Sequence, residues 1–458
     1  MGHGTDLRAV TVAPALRTFL ATEAGSAVVL LVATLAALLW ANSPWRDAYT
    51  ALWHAPAGVF LGDARLELDL QHWVNDLAMA VFFAVVGLEI NREVTRGELR
   101  DPRAVAVPAL GAVGGLVVPV LIFLAFNAGT DAAHGWGVVM STDTAFLVGV
   151  LALFGPRCPD RLRLFLLTLA IVDDIGAIAA MAVFYTDDVD ARALAAAGVL
   201  VVVLVVLRRR GVWRLAPYVA VGLALWVAVL ASGVHATIAG VLVGLLVPTS
   251  LPHERRREAV AEHARRFLSE GGADREHAAE LAGRAAVPTG DRLQRALHPW
   301  SAYVVVPLFG LANAGVRLDP ATLADAFSSR LTIGVAVALV VGNAVGITGA
   351  ATLALRLGLG DLPGRVRWGH LMGGAVLAGI GFTISLFIAQ LAFDDPVLLE
   401  RAKIGVLVGS LVAAVAGSLL LRWLGERLSL CTPPRLPPTL PPLPWRQVEQ
   451  PVDSRPAG

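Results

Sequence analysis

The sequence predicts an all-α, polytopic membrane protein of about twelve transmembrane helices, and three observations carry that prediction. The 458-residue chain is 56% hydrophobic and only 16% charged, with a mean hydropathy of +0.67, a composition that excludes a soluble enzyme. Apolar runs of about 20 residues, the length that crosses a bilayer as a helix, recur from one end of it to the other. Basic residues then segregate between the connections: with the N-terminus inside, 30 of the 37 fall on one face, as the positive-inside rule requires of an even number of spans with both termini inside.

In chain order the apolar runs cover 22 to 41, 72 to 91, 104 to 126, 134 to 154, 162 to 185, 193 to 207, 215 to 231, 233 to 247, 297 to 315, 331 to 356, 369 to 393 and 402 to 424. Between the first two, residues 59 to 70 (VFLGDARLELDL) alternate in polarity around Gly62-Asp63, a hairpin signal on the outer, periplasmic side. The seventh and eighth runs are short and separated by little more than Ser232. The segment from His253 to Asp291 carries helical charge patterning in its first half and is expected as a cytoplasmic loop or short amphipathic helix. Residues 1 to 21 are expected as a cytoplasmic N-terminus, 22 to 425 as the membrane domain, and 426 to 458 as a proline-rich, disordered cytoplasmic tail. The first apolar run is full length with no A-x-A exit, so no cleavable signal peptide is expected. Cys158 and Cys431 both fall on the cytoplasmic side, where disulfides are rare.

Chemistry enters through polar residues inside apolar runs. Asp173 and Asp174 lie side by side within Leu164 to Tyr185, and a carboxylate at mid-helix costs roughly 2.5 to 3.5 kcal/mol on insertion scales. Two together demand burial in protein and a function. The fourth run is interrupted by Gly135-Trp136-Gly137 and then Ser141-Thr142-Asp143-Thr144, and the eleventh by Gly373-Gly374 and Gly379-Ile380-Gly381-Phe382-Thr383. Unwound backbone at that depth is tolerated only where it is buried or lines a cavity. Each interruption occupies the middle run of a set of three, 104 to 185 and 331 to 424, the pattern of an inverted repeat whose broken helices cross at an ion site.

Nine motifs occur in a fixed order: Asn75-Asp76 with Met79 to Glu89 (MAVFFAVVGLE), Ser141 to Phe146 (STDTAF), Val172 to Ala177 (VDDIGA), Val234 to Gly240 (VHATIAG), Leu297 to Trp300 (LHPW), Pro307 to Phe309, Ala312 to Gly315 (ANAG) and Gly379 to Thr383 (GIGFT). Together they resemble the NhaA family of sodium/proton antiporters over roughly residues 15 to 425. This family is itself one of the known examples of inverted-topology transporters, so the repeat reading and the resemblance are not independent. The resemblance implies a secondary transporter of the bacterial inner membrane that exchanges Na⁺ or Li⁺ for H⁺ by alternating access, for sodium and pH homeostasis, as a homodimer in membrane lipid. No cofactor and no nucleic-acid partner is implied.

By the same resemblance Asp174 is the principal cation ligand, Asp173 the second proton carrier, and Asp143 with the Thr142 oxygens the facing ligands, so that Na⁺ is held at Asp174, Asp173 and Asp143. Gly379, Gly381 and Thr383 form the broken-helix backbone. Glu89, Arg92 and Glu93 match the cytoplasmic pH-response region, as do His235 and His298, although for His235 a packed, hydrogen-bonded role is the plainer reading. Residues i and i+1 of a helix point about 100° apart, so Asp173 and Asp174 are expected to face different surroundings.

Two departures stand out. Electrogenic members of the family carry a lysine that pairs with the first aspartate of the tandem; here that position is Asn343, within Val340 to Gly346, and an amide carries neither proton nor charge. The sole lysine, Lys403, lies toward the opposite membrane surface. If both tandem aspartates release protons per Na⁺ the cycle stays electrogenic; if Asp173 stays protonated it is electroneutral, and desolvation without a compensating cation favours the second. Just before Leu297 the family carries an acidic residue and a histidine, whereas this chain reads Leu293-Gln294-Arg295-Ala296. Rival readings are an exchanger of altered ion preference, a sodium-coupled symporter, and an intramembrane aspartyl protease suggested by Gly358-Leu-Gly-Asp361 and Pro108-Ala-Leu110; the last fails because the two motifs come in the wrong order and no Tyr-Asp partner exists.

Overall fold

The computed structural model describes residues 23–428 apart from 62–63, 101, 155–159, 187–188, 251–253, 271, 361, 363–365 and 367. The N-terminal segment, most of the proline-rich tail, both cysteines, Gly62-Asp63 and Asp361 therefore lie outside the described residues.

The chain is all-α apart from one hairpin, and each of the twelve expected spans coincides with a helix or a broken pair. Helix α1 (Glu23–Ala41) turns through 117° into α2 (Arg46–Trp53). Asn42 holds this corner, its amide donating to the carbonyls of Leu38 and Val316 and its oxygen accepting from Leu318 N. Strands β1 (Pro56–Leu61) and β2 (Ala64–Asp69) pair antiparallel, Pro56 opposite Asp69 and Leu61 opposite Ala64. The hairpin starts a few residues earlier than the polarity pattern suggests. Asp69 ends it and caps the next helix; partial burial opposes its charge, but the His72 backbone N–H and the imidazoles of His72 and His54 outweigh that and hold its carboxyl below the ordinary value.

Then follow α3 (Leu70–Arg96), α4 (Pro102–Asn127), a 3₁₀ segment (Asp131–Val139) leading into α5 (Thr144–Phe154), α6 (Asp160–Phe184), α7 (Ala191–Arg209), α8 (Leu215–Ala231) and α9 (Thr237–Leu246). The 253–291 region is more ordered than expected, forming α10 (Glu254–Glu270) and α11 (Ala273–Ala286). Glu262–Arg266 and Glu280–Arg284 pairs at i,i+4 support the two helices, and Gly272, at φ +96°, makes the turn between them. The ninth span also starts earlier than its apolar run, as α12 (Thr289–Trp300), which continues through a π-helical stretch into α13 (Val306–Asn313). The chain ends in α14 (Pro320–Ser328), α15 (Arg330–Arg356), the broken pair α16 (Trp368–Leu377) and α17 (Phe382–Ala392), bent by 42°, and α18 (Pro396–Leu428). Among the described residues six helices are long and apolar enough to cross a membrane unaided, or eight if each bent pair counts as one span.

In lipid, helices gain little from burying apolar surface against one another, so close backbone approach decides which pair. Helix α3 lies on α9 in this way: a Cβ on Gly240 would come 2.0 Å from Ala80 O, and one on Gly244 2.5 Å from Ala84 O. The first helices of the two repeats, α4 and α15, meet at a reciprocal contact, with Gly114 facing Gly346 O and Gly346 facing Gly114 O, each 2.2 Å from the position a Cβ would take. Such reciprocity is what a two-fold relation between repeats produces.

Candidate functional site

The site is built where the two interrupted spans cross. Glycine opens the first: a Cβ on Gly135 would strike the Phe393 ring and one on Gly137 the Tyr185 hydroxyl, which instead accepts from Gly137 N at 2.8 Å. The chain here takes the tight 3₁₀ path and then runs without helix through Ser141, Thr142 and Asp143. In the second, Gly379 sits where a Cβ would come 2.4 Å from Leu339 O, so the break packs directly on the backbone of α15.

Each interruption exposes helix ends whose backbone groups need partners. Asp143 supplies two of them. Its Oδ1 accepts from Phe146 N at 2.9 Å in the first turn of α5, while its Oδ2 accepts from Thr383 N at 3.0 Å and Thr383 Oγ1 at 2.6 Å at the start of α17. One carboxylate thus faces the positive dipole ends of two helices. Reciprocally, Asp143 N donates to Ile380 O at 2.6 Å and Thr142 Oγ1 to Ala378 O at 2.8 Å, which satisfies carbonyls at the end of α16.

Helix α6 presents the tandem to this crossing. Asp173 Oδ2 accepts from Thr142 N at 2.7 Å and its Oδ1 has no hydrogen-bond partner; Asp174 Oδ1 has none either. Asp174 lies beside the side chain of Ser141, with Glu89 of α3 and Asp143 close enough to act on it electrostatically. The two neighbours face different surroundings, as the helical rotation requires.

The expected site residues take the following places in this geometry. Asp143 and Thr142 are expected as cation ligands facing Asp174, yet both Asp143 oxygens and the Thr142 hydroxyl are engaged in holding the crossing together. Asn343, at the position expected to partner Asp173, is buried but turns back on its own helix, its Nδ2 donating to Leu339 O at 3.0 Å directly after the π-helical stretch Ala338–Gly342.

The expected pH-response residues lie on α3, on α12 and in the turn before α9. Arg92 and Glu93 pair at 3.6 Å at the end of α3, His298 is exposed on α12, and the His235 ring hydrogen-bonds the Tyr185 carbonyl at the end of α6. What joins α3 to α12 is instead Arg96 and Asp291, in contact at 2.5 Å with each side chain 24% exposed. Neither residue stands out in the sequence, since each sits in a polar connection among other charges. Ser385 is equally inconspicuous there, because a lone serine in an apolar helix carries no signal; it is buried at the crossing with a hydroxyl that forms no hydrogen bond, while Ser141, part of the marked interruption of the fourth run, is buried beside Asp174.

Comparison with known proteins bears on what such a crossing does. A family described as Na⁺/H⁺ antiporter 1 matches residues 17–421. The chain is 59% identical over 447 residues to Na(+)/H(+) antiporter NhaA 3 of Frankia alni, covering 97% of this chain and 96% of the relative. It is 45% identical over 413 residues to Na(+)/H(+) antiporter NhaA of Rhodopirellula baltica, with 88% and 93% covered. Against Na(+)/H(+) antiporter NhaA 1 of a Mycobacterium species (strain KMS) it is 46% identical over 392 residues, covering 86% of this chain and 64% of that longer relative.

Proposed function

The chain belongs to the NhaA family of Na⁺/H⁺ antiporters, and we propose that it exchanges Na⁺ for H⁺ across the bacterial inner membrane by alternating access at the crossing of its broken spans. The observation that carries this reading is the pair of buried carboxylates, Asp173 and Asp174, each with an oxygen that nothing in the protein satisfies, set against two interrupted helices. A carboxylate shut away from water is costly unless a proton or a cation neutralises it, so the two ligands compete for one place and their movements are coupled.

In this scheme Asp174 carries the cation in one half of the cycle and a proton in the other. Asp173, held by Thr142 N, carries a second proton only where a compensating cation lets it ionise, and the position that would supply one is Asn343. Asp143 and Thr142 keep the crossing assembled, so that movement of the broken spans carries the site with them. Li⁺, equally hard, is an alternative substrate, since oxygen ligands suit both ions. The arginine asymmetry orients both termini to the cytoplasm.

The test is uptake of ²²Na⁺ by proteoliposomes under an imposed pH gradient. The unaltered protein is expected to accumulate Na⁺ against the outward proton flow, and Asp174→Asn to abolish exchange while remaining monodisperse in detergent. Wild-type rates in Asp174→Asn would remove Asp174 from its assigned role. Uptake that requires a co-transported solute would favour a symporter.

A further inference from the structure

Cation ligation in this chain needs more oxygens than its carboxylates provide. Hard cations take several oxygen ligands at once. With both Asp143 oxygens and the Thr142 hydroxyl engaged in the crossing, the tandem alone offers too few.

We propose that the hydroxyls of Ser141 and Ser385 complete the oxygen shell of the transported cation beside Asp174. This rests on the antiport reading above and names two ligands within the same site. Four lines of geometry support it. Ser141 and Ser385 are 1% and 0% exposed; the Ser141 hydroxyl turns to the Asp174 carboxyl, and the Ser385 hydroxyl has no hydrogen-bond partner, although leaving a buried hydroxyl unmet costs about 1–3 kcal/mol.

Next, the usual escape for a hydroxyl in a membrane helix is to donate to the carbonyl four residues back. Thr34, Thr168 and Thr352 of this chain do so, to Leu30, Leu164 and Thr348. Ser385 lies in a helix with Gly381 O at that position and does not take it up with its hydroxyl.

The two serines also meet at one contact between the interrupted spans. A Cβ on Gly381 would sit 2.3 Å from Ser385 Oγ and 2.8 Å from the Ser141 backbone carbonyl, so the absence of a side chain at Gly381 lets Ser385 of the second span pack directly against Ser141 of the first. Finally, the side chain of Ser141 lies beside Asp174. Thr237 and Ser410 have unmet buried hydroxyls too, but they belong to uninterrupted helices away from this contact.

A neutral hydroxyl ligates a cation yet keeps its own proton throughout, so its removal weakens Na⁺ binding without changing how many protons are exchanged. That separates it from the aspartates. Full-length Ser385→Ala and Ser141→Ala are assayed in proteoliposomes for apparent Na⁺ KM, Vmax and H⁺:Na⁺ ratio, with Na⁺ binding to the detergent-solubilised protein measured by calorimetry. Loss of one neutral ligand is expected to raise KM and the calorimetric Kd about tenfold, with the H⁺:Na⁺ ratio unaltered. Ser385→Thr keeps the hydroxyl and should stay near the wild-type KM, whereas Ser385→Cys, which substitutes a poor sulfur ligand at similar volume, should behave as the alanine does even if the alanine fails to fold. Unchanged KM and Kd in both Ser385→Ala and Ser385→Cys, or a fall in Vmax alone, would overturn the assignment. Exchange by the unaltered protein with those results sinks only the serine ligands; absence of exchange in the unaltered protein sinks the antiport reading as well.

Discussion

At the residue scale, the tandem and Asn343 decide the energetics. Asp173 takes its hydrogen bonding from Thr142, whose N–H donates to Oδ2, and Asn343 directs its amide to Leu339 O, so no cation faces the first aspartate among the hydrogen bonds of the described residues. A carboxylate in that position favours keeping its proton, and one proton then exchanges for one Na⁺. Electroneutral exchange is therefore expected. A membrane potential imposed with K⁺ and valinomycin at zero pH gradient should drive no Na⁺ flux through the unaltered protein, and should drive it through Asn343→Lys, which gives Asp173 a compensating cation. A clear response in the unaltered protein would refute the electroneutral reading.

The element scale is governed by backbone proximity. Gly379 stands 2.4 Å from Leu339 O at the place where a methyl would go, and Leu339 belongs to the π-helical stretch that also positions Asn343. A methyl there cannot be absorbed by a flexible side chain, because the obstacle is a main-chain carbonyl. Gly379→Ala should therefore push the break away from α15, lower stability by about 1–3 kcal/mol and slow exchange more than it weakens Na⁺ binding. Thermal unfolding in detergent together with Na⁺-dependent flux checks this, and wild-type values for both would show that the contact is not required. The Arg96–Asp291 pair works at the same scale by a different force, tying the ends of α3 and α12 by charge.

On the scale of the whole molecule, the β1–β2 hairpin is the one element built from strands among the described residues, and a two-stranded ribbon leaves edge groups unpaired. A second copy of the chain offers the matching edge, and the hairpin is proposed as the dimer contact. Deleting Gly58 to Leu68 should move the detergent-solubilised protein from dimer to monomer, read by light scattering, with Na⁺ transport largely kept because the crossing lies in another part of the fold. A dimer fraction that survives the deletion would exclude the hairpin as the contact.

The class, the twelve spans and the places where two of them break are legible in the amino-acid order alone. Bilayer thickness sets a run length, and glycine and carboxylates inside such a run are costly enough to be visible one residue at a time. Asp173, Asp174 and Asn343 are marked in the same way, each conspicuous against apolar neighbours. Which oxygens remain free is settled by folding. Asp143 and Thr142 read as ligands in the sequence, yet the crossing engages them on helix ends that exist only once both spans are broken and brought together. Ser385 reads as filler and emerges with an unmet hydroxyl where Gly381 lets the two broken spans touch. Arg96 and Asp291, 195 positions apart, meet only because α3 and α12 end side by side. Residue type fixes what a group can bond; which bonds are already taken is set by contacts between segments distant in the chain, and no local pattern records those.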